Sequence, residues 1–189
     1  MLDSTVLAVM DEVEAFQRGR SDAWSIPREE AMLLHTVALA AGCRSIVEVG
    51  TSYGFSGLFL AAAARASGGR LHTFEIDPRK RKYASAHFEK AGLADAVTLH
   101  AGDALELLPA LEPGVDFAFL DATKFETLRY WQALEPKLAP RCIVTADNTH
   151  THPKDLKAFL SILRGRADFT CCDVDVGHGV EVAVRVPPA

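Results

Sequence analysis

Apolar residues Val6, Val9, Met10, Val13 and Phe16 recur at helical spacing, which predicts an amphipathic helix over roughly residues 4 to 17. The polar stretch RGRSDAWS that follows reads as loop, and Pro27 with Arg28, Glu29 and Glu30 marks the first turn of a second helix ending near Gly42. From Ser45 onward the pattern changes. Short apolar runs (SIVEV, LHTFEI, AVTLH, VDFAFL and CIVTAD) alternate with helical segments. These segments run to Ser67, from Pro78 to Gly92, briefly after the third run, to about Leu138, and from Pro153 to Gly165. Such alternation predicts βαβ units around a parallel sheet. The last two runs, FTCCDVDV and VEVAVRV, flank Gly177-His178-Gly179 and predict a terminal antiparallel hairpin.

Bulk properties narrow the choice of function. With 189 residues, 49% of them hydrophobic, the chain can bury one substantial core, and a single domain is expected. Twenty basic against 25 acidic residues leave a formal net charge of −5, which argues against general affinity for nucleic acid or anionic membrane and for a small-molecule ligand. The first residues carry Asp3, Asp11, Glu12 and Glu14 in place of a positive leader, so a cytoplasmic location is expected. The most apolar stretches, AMLLHTVALAAG and GLFLAAAARA, are shorter than the ~20 residues that span a bilayer. Cys43, Cys142, Cys171 and Cys172 form no C-x-x-C pair and read as reduced thiols. The basic run PRKRK at the start of a helix reads as a solvated face.

In open parallel sheets ligands bind beyond the carboxyl ends of the strands. Here each predicted strand end carries an acid: Glu48, then Glu75 and Asp77, then Asp103, Asp121 and Asp147. The loop VEVGTSYGFSG spaces its glycines as Gly50, Gly54 and Gly57, which is not the G-x-G-x-x-G of a dinucleotide cradle, and Glu48 would repel a pyrophosphate. A ligand with a cationic centre, a carboxylate and a ribose fits better. Amides from Ser52 to Ser56 would hold the carboxylate, Glu48 would accept from an ammonium, Glu75 from both ribose hydroxyls, and Ile76 would cover an adenine. S-adenosylmethionine has these features.

The segments VEVGTSYGFSGLFLAAA, HTFEIDP, HAGDALELLPAL, FAFLDATK and VTADNTH lie, in this order, between about Pro27 and Arg185. Together they resemble the cation-dependent O-methyltransferase family that includes catechol and caffeoyl-CoA O-methyltransferases. The resemblance implies the class I methyltransferase fold, an α/β, doubly wound, Rossmann-like sheet of seven mostly parallel strands whose last strand is antiparallel. It implies one domain over residues 1–189, with the helices of residues 1–44 as a cap or lid, and it allows a homodimer. Ile26, Glu48, Gly50, Ser52, Ser56, Glu75, Ile76, Asp103, Ala104 and Asp121 would line the adenosylmethionine pocket. Asp121, Asp147 and Asn148 would hold the metal, and Lys124, beside Asp121, would be the catalytic base.

The residue types support that metal set independently. Two carboxylates and an amide oxygen make a hard site for Mg²⁺, or for another divalent cation such as Ca²⁺ or Mn²⁺; the plainer alternative is that Asp121 and Asp147 cap the helices after them. Lys124 follows Asp121 by one helical turn, so it is either the base or a solvated lysine. The expected reaction is metal-assisted methyl transfer to a phenolic or catechol-like hydroxyl of a small acceptor with adjacent oxygens. Ala122 stands where the mammalian catechol enzymes carry a histidine, so a mammalian-like pocket is not implied. A metal-independent methyltransferase of the same fold and a non-catalytic adenosyl-ligand binder are the alternatives. The loop disfavours a nicotinamide oxidoreductase. Thr149 to His152, THTH, is a weak zinc signal or a substrate-mouth loop, and His35, His72, His87, His100 and His178 read as structural or surface residues.

Overall fold

The computed structural model describes residues 2–186; the outermost residues of the expected 1–189 domain lie outside it. Strands β1 (Ser45–Val49), β2 (Arg70–Glu75), β3 (Val97–Ala101), β4 (Val115–Leu120), β5 (Leu138–Asp147), β6 (Phe169–Val174) and β7 (Val180–Arg185) form one sheet in the order β3-β2-β1-β4-β5-β7-β6. β1 to β5 pair in parallel, and β7 slots antiparallel between β5 and β6. The chain leaves β1 toward β2 on one side and returns to β4 on the other, which opens a crevice at the carboxyl ends of β1 and β4. Leu120 pairs with Ala146, so the next residues, Asp121 and Asp147, leave the sheet side by side.

Helices cover both faces. α1 (Ser4–Gln17), α2 (Arg28–Ala40), α3 (Phe55–Ala66) and α4 (Pro78–Lys90) lie on one face, where Val6, Met10, Leu34, Leu58 and Phe88 share a core with Ile46, Phe117 and Phe119 of the strands. α5 (Ala104–Leu107), α6 (Thr127–Leu134) and α7 (Pro153–Arg164) lie on the other, where Trp131 and Phe159 pack with Val47, Ala118, Leu120 and Val144. The predicted stripe on α1 is the buried one: Val6, Val9, Met10 and Val13 are all at most 2% exposed. Asp3 caps that helix by accepting from the Val6 amide at 2.9 Å.

Two predicted boundaries differ. The helix expected after β4 is only Thr127–Leu134, with 3₁₀ turns at Lys124–Glu126 and Glu135–Lys137 on either side, because Pro136 lacks the N–H an α-helix would need. β5 starts at Leu138, four residues before the expected CIVTAD run, with Pro140 tolerated where the pairing register shifts between Val115 and Phe117. Among the described residues no helix is long and apolar enough to cross a membrane.

Candidate active site

At the crevice the chain leaves β1 through Gly50, whose φ is +105°; a Cβ there would lie 2.4 Å from the carbonyl oxygen of Asp121, so only glycine lets the two strand exits approach. The amides of Gly50 and Thr51 donate to the Phe74 carbonyl, which ties the loop to β2. Ser52 then takes a left-handed turn at φ 48°, and its amide donates to Glu75 Oε2 at 2.7 Å. The other oxygen of Glu75 accepts from the Asp77 amide at 2.8 Å. Glu75 is thereby held rigidly with lone pairs to spare. A cavity of about 140 Å³ opens beside it. Gly50, Glu75, Ile76, Asp103 and Ala104 line this cavity, joined by Thr123, Glu126 and Tyr130, which the sequence motifs did not single out. Ile76 is 67% exposed at its rim, an unusual position for an isoleucine and one that suits a flat apolar ligand.

Other expected cofactor residues sit apart from that cavity. Ile26 is buried among the helices of the first core, and Ser52 and Ser56 belong to the loop and the start of α3 behind the cavity lining. Glu48 is fully buried; its two oxygens accept from Ser56 Oγ at 2.5 Å and Thr73 Oγ1 at 2.6 Å, an arrangement different from the ammonium acceptor expected of it. The reason is strand alternation: Glu48 shares the face of Ile46, under α3. Burial pushes its carboxyl up to about 8, against the opposing effect of the two hydroxyl hydrogen bonds.

On the far side of Gly50 lies a group of acids. Lys124 Nζ donates to Asp121 Oδ1 at 2.5 Å, with both side chains largely buried. Neither Asp121 nor Asp147 caps a helix: the N-cap of α7 is His152 and that of the turn after β4 is Thr123, neither with a side-chain cap bond, and Asp147 Oδ1 accepts from the Asn148 amide instead. Asn148 is held at φ 71°, a left-handed conformation that asparagine tolerates better than most residues, and its Nδ2 donates to Thr151 Oγ1 at 2.7 Å, which fixes the amide plane. Burial and the nearby Asp147 raise the Asp121 carboxyl above the ordinary range, and Lys124 opposes them. Among the described residues the one ammonium near these adjacent strand ends, Lys124, pairs with Asp121 and not with Asp147, so a bound cation would relieve the repulsion of the two acids. Asp121, Asp147 and Asn148 fit a divalent ion in this sense.

Two residues near this group were missed in the sequence, Glu30 and His178. Glu30, in the first turn of α2, has no exposed surface, and burial together with Asp147 raises its carboxyl to about 9. His178 Nδ1 lies 3.7 Å from Asp147 Oδ2, and the side chain is half-buried, so of the structural or surface roles expected of it the structural one applies to this nitrogen. The only signal for it in the sequence was the pair of glycines around it. The THTH segment does not converge on a metal: His150 reaches Asp173 and Asp175 at 3.2 and 3.4 Å, whereas His152 bonds Thr151.

Comparison with known proteins places this arrangement in a family. The methyltransferase domain model matches residues 47–149. The chain is 35% identical over 154 residues to a catechol O-methyltransferase of Mycobacterium tuberculosis, a match covering 78% of this chain and 69% of that protein. It is 32% identical to a catechol O-methyltransferase of Niastella koreensis, over 67% of this chain and 58% of the relative. Among solved structures, the O-methyltransferase TomG of Streptomyces achromogenes in complex with SAM superposes with a TM-score of 0.80 at 28% identity, covering 97% of this chain and 90% of that one. An O-methyltransferase of Bacillus cereus in complex with SAH gives a TM-score of 0.80 at 26% identity, over 97% and 91% of the two chains. With the seven-stranded sheet, its antiparallel β7 and the acid-lined crevice, these likenesses show that the chain belongs to the S-adenosylmethionine-dependent O-methyltransferase family of the catechol type.

Proposed function

We propose that this chain transfers the methyl group of S-adenosylmethionine to a hydroxyl of a small phenolic acceptor carrying two adjacent oxygens, with a divalent cation held by Asp121, Asp147 and Asn148. The observation that carries the reading is the juxtaposition, across Gly50, of the Glu75 cavity with the buried Lys124–Asp121 pair. Glu75 would accept from the ribose hydroxyls and Ile76 would cover the adenine, while Gly50, Asp103 and Ala104 shape the wall. Asp103 already spends one oxygen on the Leu105 amide, at 2.8 Å, so it presents the other. Ser52 would hold Glu75 through its amide, Glu48 fixes Ser56 at the start of α3, Ile26 belongs to the core under the helices, and the Asp121 carbonyl meets Gly50 between the two halves.

When bound, Mg²⁺, or Ca²⁺ or Mn²⁺ in its place, would supply a Lewis acid at the acceptor's oxygens. Lys124, in its neutral amine form, would take the proton of the reacting hydroxyl at Nζ and become the ammonium that pairs with Asp121, which holds the side chain in place. Phe125, 76% exposed next to Lys124, offers an apolar surface to an aromatic acceptor. Orientation of two bound reactants can supply ~7–11 kcal/mol of barrier lowering, more than the ~10²–10⁴-fold of a typical base, so positioning dominates.

Calorimetry of adenosylmethionine and of NAD, each with and without Mg²⁺, followed by methyl-transfer assays on a panel of catechols and caffeate esters, tests the reading. Adenosylmethionine binding with chelator-sensitive transfer is expected. Transfer that survives a strong chelator would favour a metal-independent methyltransferase, and binding without transfer to any acceptor a non-catalytic binder.

A further inference from the structure

The tip of the β6–β7 hairpin is built around His178. Gly177 has φ +57°, and a Cβ on it would lie 2.3 Å from Glu30 Oε2; Gly179 has φ +87°, and a Cβ on it would lie 2.5 Å from His150 Cγ and from Thr149 Oγ1. Both flanking positions are therefore restricted to glycine by conformation and by contact. The tip is tied to the strand-five exit by Thr149 N donating to Gly179 O at 3.0 Å and His150 N to His178 O at 3.1 Å. It is tied to α2 by His178 N donating to Glu30 Oε2 at 3.3 Å. These ties hold the imidazole over Asp147.

What they enclose is unfinished. Glu30 has no exposed surface, yet its Oε1 has no hydrogen-bond partner among the described residues, and neither does the buried Nδ1 of His178. One ligand atom each from Glu30, Asp147 and His178 lie within 4.8 Å of one another. Ligands about 2.0–2.2 Å from a common ion stand roughly 3–4 Å apart, so small side-chain adjustments would close them on a cation. Buried polar atoms left unpaired are destabilising, a cost that a shared ion removes.

We propose that Glu30, Asp147 and His178 form a divalent-cation site of two carboxylate oxygens and one imidazole nitrogen, suited to a borderline transition ion such as Mn²⁺, Co²⁺ or Zn²⁺ in preference to Mg²⁺. The donor set decides the class of ion, since imidazole nitrogen suits the later first-row metals and Mg²⁺ prefers oxygen in an octahedron. Asp147 is common to this set and to Asp121, Asp147 and Asn148. The inference rests on the hairpin geometry and not on methyl transfer.

The test uses the full chain stripped of metal. Mn²⁺ is added and directly bonded ¹⁴N is read by pulsed electron paramagnetic resonance, while Co²⁺ affinity is followed by its visible absorption in competition with Mg²⁺. A nitrogen signal is expected in the unaltered protein, with Co²⁺ bound at least ~10-fold more tightly than Mg²⁺. His178→Gln should abolish the nitrogen signal and weaken Co²⁺ binding about 10-fold or more, whereas Glu30→Gln should weaken binding and keep the signal. His150→Gln should leave both unchanged. Absence of bonded nitrogen in the unaltered protein overturns the proposal whatever the variants do, and so does a signal lost in His150→Gln but kept in His178→Gln. Mg²⁺-supported methyl transfer without bonded nitrogen would refute this site and leave the methyltransferase reading standing; bonded nitrogen without transfer to any acceptor would do the reverse.

Discussion

Replacing Glu48 by Gln should make the ligand-free protein more stable near neutral pH, even though Glu48 lies just ahead of the glycine loop. The carboxyl is fully buried under α3, and burial raises it from an ordinary 4.5 to about 8. Below pH 4.5 the group is protonated both folded and unfolded, and it imposes no penalty. Between 4.5 and about 8 the folded chain holds a proton that the unfolded chain has released, so stability falls as pH rises, at about 1.4 kcal/mol per pH unit. The full loss, reached above pH 8, is on the order of 5 kcal/mol. An amide does not titrate, and it can still accept from one of the Ser56 and Thr73 hydroxyls while donating to the other, as the protonated acid does. The variant should therefore match the parent within ~1 kcal/mol near pH 4.5 and exceed it by an amount that grows about 3 kcal/mol between pH 5 and 7. Urea unfolding of both proteins at pH 5, 6, 7 and 8 measures that difference, from which groups unaffected by the change cancel. A difference that stays flat or shrinks as pH rises would refute the idea that burial controls this carboxyl.

Gly50→Ala should lose at least ~2–3 kcal/mol in urea unfolding, because the new Cβ meets the Asp121 carbonyl and the backbone stays left-handed; unchanged stability would mean the strand exits are not held so close. Glu75→Gln should weaken adenosylmethionine binding by calorimetry about 10- to 100-fold, the worth of hydrogen bonds to a charged acceptor, and an unchanged Kd would remove Glu75 from the ribose. Lys124→Met should lower kcat for methyl transfer by ~10²–10⁴ while adenosylmethionine Kd moves less than ~3-fold, and a large loss of cofactor binding would contradict its assignment as base.

Much of the fold was legible because it is written in local periods. The α1 stripe, the alternating apolar runs from Ser45 on and the Gly177–Gly179 turn each depend on neighbours within a few residues, and each became the element its pattern predicts. Boundaries failed where proline intervened, at Pro136 and Pro140, since a missing N–H shortens a helix or shifts a register without altering the hydrophobic pattern. The acids at the strand ends were equally readable, because a parallel sheet sends every strand's carboxyl end to one edge.

By itself, then, the sequence determined a parallel α/β sheet and a row of acids along its ligand-binding edge, with a glycine loop unsuited to pyrophosphate. The tertiary structure decided which acids face a cavity and which are entombed: Glu75 lines the crevice, whereas Glu48, two residues ahead of Gly50, turns under α3 because strand residues alternate faces. It also decided the company Asp147 keeps. Glu30 and His178 are separated by 148 positions, and no local pattern links a first-turn helix acid to a hairpin-tip imidazole; only the pairing of β7 with β5, and the docking of that hairpin on α2, brings them together. Contacts of that kind follow from how the layers close on one another, which depends on the whole core at once and not on any stretch of the chain.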